Sequence, residues 1–349
     1  MAFNIRTSAQ LLLLLSLIHF CSAVWCGFGA SAFHRHSYKY EIASLQNNLL
    51  RGGDQDDSTE RKYGRVSQNE YFLTPDQIEA FHRDGCITLE HVLTEEEVEP
   101  LCAIFDRFVN GGVAVPGKDF CDMSQPFGTP YDEWNLVNCM LPSRYFPPLQ
   151  NNIYERITNH IAAQLFQSHN HTMVKDYDQL LNKRPNRTAA VFAWHQDMAY
   201  WPGVEALHMH VNTTATCTFS LALDDSDEEN GCLRYVEGSG ATKTLRPHRP
   251  VNQNREKGHA LITDVRDDEP IRLAPARKGS ITIHDEYVVH GSGGNNSPRR
   301  QRRTYVLAYR AQEIVEAERR IGFTHSHNDQ VNWDTFEDGA SHRNPQKTK

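Results

Sequence analysis

Short apolar runs separated by turns fill the sequence after about residue 170, and this pattern limits the possible folds more than any other feature. Gly or Asn stands in several of the turns, as in residues 229–231. Many short strands of this kind are typical of a β-sandwich or jelly roll. The predicted strands cover residues 189–194, 216–223, 232–236, 280–283, 288–290 and 304–309.

The first half of the chain carries helical patterns instead. Thr74 with Gln77, and Thr94 with Glu97, have the spacing of capping boxes, in which side chains bind free backbone N–H groups at a helix start. Residues 149–167 repeat an apolar side chain at every fourth position, which predicts a third helix. Helices followed by strands predict an α+β fold. We expect a double-stranded β-helix, also called a jelly roll or cupin-like fold, with N-terminal helices packed on it.

The N-terminus has the features of a signal peptide. Arg6 precedes an apolar stretch that begins at Leu11, and small residues follow at Cys21, Ser22 and Ala23. The stretch is shorter than the ~18 or more apolar residues that indicate a membrane-spanning helix. We therefore expect cleavage, with no stable membrane span afterwards. An uncleaved membrane anchor is the alternative.

Residues 30–33, Ala-Ser-Ala-Phe, resemble the junction inside bipartite plastid presequences, and no acidic residue follows until Glu41. We expect the protein to enter the secretory pathway, and transport onward to a plastid is a further hypothesis. The predicted organisation is a presequence over residues 1–32, a disordered linker or transit segment over 33–66, a folded domain over 67–323 and a polar tail over 324–349.

Charge and cysteine content exclude several functional classes. The formal net charge is −8, and the basic cluster at residues 299–303 is short. A mildly acidic chain without a long Lys/Arg block gives no electrostatic reason to expect nucleic acid as a partner. The eight cysteines include no Cys-x-x-Cys pair, so neither a zinc ribbon nor a dense disulfide scaffold is indicated. We expect a small-molecule partner, and the sequence does not indicate the oligomeric state.

The segment His195-Gln196-Asp197 carries the clearest chemistry. Residues two apart in a strand project to the same face, so His195 and Asp197 can present an imidazole and a carboxylate to one point. Far downstream, His290 ends an apolar run and is followed by Gly-Ser-Gly. Two histidines and a carboxylate on one face of a metal are the ligands of non-haem iron(II) oxygenases.

Two other histidine pairs have the same spacing. His208 with His210, and His325 with His327, can each present two imidazoles to one face of an extended segment. Neither pair includes a carboxylate at the matching position, so we regard them as weaker metal-site candidates.

Two neighbouring arginines are candidates for binding a carboxylate. In the strand that follows them, Arg302 shares a face with Val306, whereas Arg303 shares the other face with Tyr305. An arginine at the foot of an inward-facing row can bind a carboxylate through two parallel hydrogen bonds. Strand phase favours Arg302, and Arg303 remains a rival if the strand contains a bulge.

Between about residues 71 and 323, the sequence resembles the phytanoyl-CoA dioxygenase family of iron(II)- and 2-oxoglutarate-dependent oxygenases. The resemblance implies an enzyme that uses O2 to hydroxylate an unactivated C–H bond of a small organic or lipid-like substrate, with release of succinate and CO2. Ascorbate is a candidate additional cofactor. The resemblance rests on blocks at residues 81–87, 194–202, 222–225, 229–233 and 290–303.

The resemblance also implies roles for particular residues. Iron would be bound by the catalytic residues His195, Asp197 and His290. The cosubstrate 2-oxoglutarate would be bound by Arg302 and Ser292 and contacted by Gln179, and Gln196 would line the site. Tyr200 and Trp201 are candidates for the substrate pocket wall.

Other functions stay open on the sequence alone. Related halogenases lack the carboxylate at the position of Asp197, so its presence favours hydroxylation over halogenation. A zinc hydrolase is an alternative, because two histidines and a carboxylate also suit catalytic zinc. A non-catalytic jelly-roll binding protein is the other alternative. The identity of the substrate is not indicated.

Overall fold

A computed structural model of the chain describes residues 63–167, 171–203, 207 and 215–328. The predicted presequence, most of the predicted linker and the end of the predicted tail lie outside these residues, as does the histidine pair His208 and His210. Within the described part, none of the helices combines the length and apolar character needed to cross a bilayer. The six cysteines found there are buried and free.

Two antiparallel sheets form the framework of the described part, as the predicted jelly roll requires. The larger sheet contains, in spatial order, β3 (Cys86–Leu89), β13 (Ile281–His284), β8 (Cys217–Ala222), β15 (Arg302–Ala311), β6 (Met173–Lys183), β5 (Leu136–Met140) and β4 (Phe120–Asp122). The smaller sheet contains β12 (Ile271–Ala274), β9 (Leu233–Val236), β14 (His290–Ser292) and β7 (Phe192–His195). Two short hairpins join β1 (Gly64–Arg65) to β2 (Tyr71–Phe72) and β10 (Arg249–Pro250) to β11 (Leu261–Ile262).

Helices pack on the face of the larger sheet that points away from the smaller one. Their bounds are α1 (Pro75–Asp84), α2 (Glu95–Val109), α3 (Pro142–Tyr145), α4 (Ile153–Leu165) and α5 (Gln312–Arg320). Both predicted capping boxes are present, because Thr74 and Thr94 each accept from the backbone three residues on and receive the reciprocal bond. The third predicted helix is α4, which starts after its cap residue Asn152.

The central strand β15 divides the interior into two layers. Tyr305 and Leu307 pack with the helices in the main core, whereas Val306 and Ala308 pack in a second cluster on the opposite face. This is the alternation predicted for the strand. A register shift follows Ala308, well away from the start of the strand, so Arg302 keeps the phase of Val306.

Some elements differ from the predictions. The sequence pattern does not predict β6, the longest strand described, because its charged residues interrupt the apolar alternation. Those side chains are nevertheless buried; Asp176 and Asp178, for example, bind partners inside the fold. The predicted strand over residues 288–290 is also wrong in its limits, because β14 starts at His290 and a turn precedes it.

The packed region extends beyond both predicted domain boundaries. The guanidinium of Arg65, before the predicted start at residue 67, donates to the backbone oxygen of Val92 at 2.8 Å and pairs with Glu97. Beyond the predicted end at residue 323, His325 and Ser326 are buried. The chain is fixed there because the polar side chains of His325 and Ser326 bind the buried acids Asp176 and Asp119. From composition alone, such a polar segment cannot be distinguished from a solvated tail.

Replacing Ser326 by alanine tests this extension. The Ser326 hydroxyl donates to Oδ2 of the fully buried Asp119 at 2.6 Å. Ser326→Ala removes that donor from a buried carboxylate, so we expect the free energy of unfolding to fall by about 1–3 kcal/mol. Denaturant unfolding measures the change. Ser67→Ala, at an exposed position, is the control and should stay within about 0.5 kcal/mol of wild type. Equal stability of all three proteins would contradict the buried contact.

Candidate metal centre

Three side chains converge where β7 and β14 lie side by side. His195 ends β7, and His290 begins β14 directly opposite it in the antiparallel register. Asp197 follows two residues after His195. Its Oδ1 lies 3.6 Å from Nε2 of His195 and 3.5 Å from Nε2 of His290. All three residues are buried, and their candidate ligand atoms lie within 4.8 Å of one another.

The backbone around Gln196 explains how His195 and Asp197 reach the same side. The strand ends at His195, but Gln196 keeps extended angles of φ −118° and ψ 137°, and a 3-10 turn, Asp197–Tyr200, follows. The Gln196 side chain therefore points away from the other two. Its amide donates to the backbone oxygens of Thr244 and Tyr287 and accepts from the N–H of Arg246. The expectation that Gln196 lines the site is wrong, because this amide binds the surrounding loops.

The imidazoles of His195 and His290 are oriented by their own backbones. Nδ1 of His195 lies 2.7 Å from the oxygen of Ala193, and Nδ1 of His290 lies 3.0 Å from the oxygen of Val288. A carbonyl oxygen can only accept, so each Nδ1 carries the proton and each Nε2 presents a lone pair. Such backbone contacts are the usual way in which metal-binding histidines are held.

The charge states follow from burial and from neighbouring groups. Burial alone would raise the pKa of Asp197, but the imidazoles of His290, His195 and His284 around it outweigh burial and hold that pKa well below its usual range. Of the three, His284 is the one whose Nε2 lies within hydrogen-bond distance of the carboxylate. Burial, followed by the nearby His284 and His195, lowers the pKa of His290 well below its usual range. At neutral pH an ionised carboxylate thus faces a neutral imidazole, as metal ligation requires.

Two residues that the sequence did not single out bind the other oxygen of Asp197. The hydroxyl of Thr218 donates to Oδ2 at 2.8 Å, and Nε2 of His284 lies 3.2 Å from the same atom. Both side chains come from the larger sheet and face the cavity. The sequence gives only a weak signal for His284. It directly follows the predicted strand over residues 280–283, and a histidine at such a position is not by itself a sign of function.

A cavity of about 700 Å³, counting its open mouth, lies between the two sheets and contains the three converging side chains. Tyr200 and Trp201 form part of its wall, as the sequence predicted. Gln179 also lines it and donates to Asn138 at 2.7 Å. The remaining lining residues are Met123, Met140, Tyr177, Leu181, Phe192, Thr218, Ser220, Leu233, His259, His284, Gly291, Val306 and His325.

Buried positive charge lies at one end of this region. Arg302 is 5% exposed and stands on the β15 face that carries Val306, a residue of the cavity wall. Burial lowers its pKa to about 10, and its Nε has no hydrogen-bond partner among the described residues. Lys183 lies opposite Arg302 in the register and donates to the oxygens of Ala190 and Gly293. Burial, then Arg302 and Arg234, lowers the pKa of Lys183 well below its usual range.

The neighbouring Arg303 has different partners. It donates to both carboxylate oxygens of Asp224, at 2.7 and 3.0 Å, and to Asp106 at 2.9 Å. Those acids lie on the helix-facing side of the sheet, so the strand geometry favours Arg302 as the free cation. Ser292 is buried on β14 of the smaller sheet, opposite Leu233, whereas Arg302 begins β15 of the larger sheet. No contact among the described residues joins Ser292 to Arg302.

A second group of potential ligands has a structural role. Asp176, Glu318 and His325 lie as close together as the first group. Two arginines already neutralise them: Arg310, fully buried, pairs with both acids, and so does Arg319. His325 donates from Nε2 to Asp176 at 2.8 Å. The network joins β6, β15 and α5, and the arginines take the place that a cation would need.

Comparison with known proteins identifies the family. Residues 81–304, well over half of the chain, match the sequence pattern of the phytanoyl-CoA dioxygenase (PhyH) family. The chain belongs to this family. It is a 2-oxoglutarate-dependent non-haem iron dioxygenase that acts on small molecules.

Relatives of this phytanoyl-CoA dioxygenase family member include enzymes named for different substrates. Ectoine dioxygenase of Bordetella bronchiseptica is 25% identical over 246 residues, which cover 65% of this chain and 72% of that protein. A probable alpha-ketoglutarate-dependent hypophosphite dioxygenase of Stutzerimonas stutzeri is 31% identical over 142 residues, covering 40% and 46% respectively. The crystal structure of EvdO2 from Micromonospora carbonacea var. aurantiaca has a TM-score of 0.54 and 25% identity, covering 68% of this chain and 91% of that one.

His259, one of the histidines that line the cavity, gives the protein a pH-dependent stability. Burial, then His327 and Arg255, lowers the pKa of His259 well below its usual range, so His259 is neutral in the folded protein. The unfolded chain gains a proton near pH 6.5, and the folded chain does not. The stability contributed by neutral His259 is therefore complete above about pH 6.5 and is lost as the pH falls towards the folded pKa.

Unfolding measured at two pH values tests this behaviour. Between pH 7.5 and 5.5 we expect the free energy of unfolding of metal-free wild type to fall by about 1 kcal/mol relative to His259→Phe. Phenylalanine keeps a ring against Tyr200, on which His259 stacks at 5.1 Å, but cannot titrate. A difference between the two proteins that does not change with pH would contradict the assignment.

Proposed function

We propose that this enzyme hydroxylates an unactivated C–H bond of a small organic or lipid-like molecule, converting 2-oxoglutarate and O2 to succinate and CO2. In this proposal His195, Asp197 and His290 bind iron(II), and Arg302 binds the distal carboxylate of 2-oxoglutarate. The observation that carries it is the convergence of two imidazole lone pairs and one carboxylate oxygen inside a cavity.

The donor atoms fit a divalent cation. Nε2 of His195 lies 3.6 Å and Nε2 of His290 lies 3.5 Å from Oδ1 of Asp197, so both lone pairs face that oxygen. Lone pairs facing a negative oxygen repel one another unless a cation or a proton lies between them. Two histidines with one carboxylate suit iron(II) and leave coordination positions open. When bound, the iron would supply the activation of O2 and the oxidation of the substrate.

Buried cations support the 2-oxoglutarate part of the proposal. A cation in a low-dielectric interior is costly without a partner. Arg302 has no described acidic side chain in hydrogen-bond contact, and its neighbour Lys183 is a basic group that supplies no negative charge. A dicarboxylate bound there would provide the missing negative charge. Two parallel N–H···O bonds from the guanidinium would fix its orientation.

The rest of the cavity supports a substrate whose reacting part is uncharged. Apolar and aromatic side chains make up much of its wall, among them Met123, Tyr177 and Trp201. His259 and His325 also lie there, and burial lowers the pKa of both, so they are neutral at pH 7. Such a wall excludes water from the reacting atoms and offers hydrogen bonds without a fixed charge. Asp197 is the acid among the described lining residues, and the proposal assigns it to the metal.

The identity of the residues that line the cavity also weakens the alternative of a zinc hydrolase. A hydrolase with these ligands needs a separate general base near the metal-bound water. Among the described residues that line the cavity, Asp197 is the carboxylate and is assigned to the metal, and the histidines His284 and His325 are bound to Asp197 and Asp176. His259 is stacked on Tyr200 and His327. The family membership and the buried Arg302 favour oxidation over hydrolysis.

Asp197→Ala tests the metal assignment. Loss of the anionic ligand should abolish succinate formation coupled to oxidation of small-molecule substrates, and little iron should stay bound after anaerobic gel filtration. The change removes a buried charge, so the protein should remain folded, as circular dichroism would record. Asp132→Ala, at an exposed acid, is the matched control and should behave as wild type. Wild-type iron content and succinate formation in Asp197→Ala would refute the assignment.

Arg302→Met and Arg303→Met form a second, paired test. Loss of a buried charged partner costs about 2–5 kcal/mol, so Arg302→Met should weaken 2-oxoglutarate binding on the order of 100-fold. Arg303→Met removes the partner of Asp224 and should lower the free energy of unfolding, with little change in cosubstrate affinity. Calorimetric titration of the iron-loaded variants under anaerobic conditions measures both affinities. If Arg303→Met weakened 2-oxoglutarate binding and Arg302→Met did not, the carboxylate would be assigned to Arg303.

A further inference from the structure

We propose that His284 is a positioning residue, which holds Oδ2 of Asp197 so that the carboxylate binds iron through Oδ1 alone. This inference rests on the proposed function, because it requires Asp197 to be an iron ligand. It adds a residue with a specific role: His284 would act through Asp197, without touching the metal or the substrate.

The two oxygens of Asp197 have different surroundings. Oδ1 faces the Nε2 atoms of His195 and His290. Oδ2 faces the opposite way, towards the larger sheet, where it accepts from the Thr218 hydroxyl at 2.8 Å and lies 3.2 Å from Nε2 of His284. A carboxylate oxygen can only accept from these groups, so Nε2 of His284 carries the proton that is donated. Oδ2 therefore has two donors, and Oδ1 is left for a metal.

The position of His284 is itself fixed on three sides. It ends β13, opposite Thr218 of β8 in the antiparallel register, so both donors come from adjacent strands. Its ring lies 4.1 Å from that of His290, centroid to centroid. Its Nδ1 lies 3.4 Å from the hydroxyl of Tyr235, which can donate to it. Only 2% of the residue is exposed, so water does not compete for the bond to Asp197.

This geometry separates His284 from the ligands. The group of mutually close ligand atoms contains His195, Asp197 and His290 and does not include His284. A nitrogen that donates its proton to Oδ2 has no lone pair to offer a metal. A carboxylate with one oxygen held in this way binds a metal through a single atom. One more coordination position then stays open than with both oxygens bound, which suits a centre that must accept 2-oxoglutarate and O2.

Two substitutions separate hydrogen bonding from packing. His284→Phe keeps a ring against His290 but cannot donate to Asp197. His284→Gln offers an amide N–H in place of Nε2–H and should restore much of the function. Outer-shell partners of metal ligands typically contribute 10–100-fold in affinity. We expect His284→Phe to weaken iron(II) binding about 10–100-fold and His284→Gln to stay within a few-fold of wild type, measured by anaerobic competition with a chelator.

A second readout reports the binding mode. With 2-oxoglutarate added anaerobically, the visible charge-transfer band of the iron(II) complex should shift or broaden in His284→Phe and should resemble wild type in His284→Gln. Thermal unfolding of the metal-free proteins shows whether the fold is retained. If His284→Phe does not fold, His284→Leu replaces it in the same comparison with His284→Gln.

The outcomes distinguish this inference from the proposed function. If wild type itself binds no iron(II), the proposed function fails and takes the inference with it. If wild type binds iron(II) and the folded variant without a donor matches it in affinity and spectrum, His284 has no positioning role and the proposed function stands. Equal loss in His284→Gln and His284→Phe also overturns the proposal, because the amide donor would then have no effect.

Discussion

The antiparallel pairing of His195 with His290 is the constraint on which the rest of the structure depends. These residues are far apart in sequence, yet β7 and β14 place them side by side. Backbone oxygens of Ala193 and Val288 then turn both Nε2 atoms towards Asp197. A slip of one residue in this pairing would point one imidazole away from the cavity. The smaller sheet thus fixes the geometry of the metal centre, and the larger sheet supplies the residues around it.

Unpaired buried charge distinguishes the functional parts of the interior from the structural ones. Asp176, Glu318, Arg310 and Arg319 neutralise one another within a closed network. Arg302 instead lies beside Lys183, another basic group, and has no acidic side chain in hydrogen-bond contact among the described residues. Because an isolated buried charge is costly, such a group marks a place where a ligand of opposite charge stabilises the protein. Adjacent arginines on β15 show the contrast, since Arg303 is satisfied by the fold and Arg302 is not.

Several features could be predicted from sequence because they depend on local chemistry. The capping boxes at Thr74 and Thr94 follow from residue spacing, and the two faces of β15 follow from strand periodicity. The jelly roll follows from the many short apolar runs. The family resemblance identified the metal ligands. Residue spacing alone does not decide between His195 with Asp197 and the other histidine pairs.

Other features depend on tertiary contacts that the local pattern does not contain. The strand β6 carries buried charged residues whose partners are distant in sequence, so its pattern does not resemble that of a core strand. Thr218 and His284 come together only because β8 and β13 are adjacent. The sequence neighbours of Gln196 predict that it lines the site, although strand alternation directs its side chain to the surrounding loops. The polar composition of residues 324–349 predicts a tail, although His325 and Ser326 are buried.

A crystal structure of the protein grown anaerobically with iron(II) and 2-oxoglutarate tests the central claim most directly. The account predicts one iron bound by Nε2 of His195, Nε2 of His290 and Oδ1 of Asp197, with the far carboxylate of 2-oxoglutarate on Arg302. An iron-free triad at saturating metal, or a metal held beside Asp176 and Glu318 instead, would contradict it.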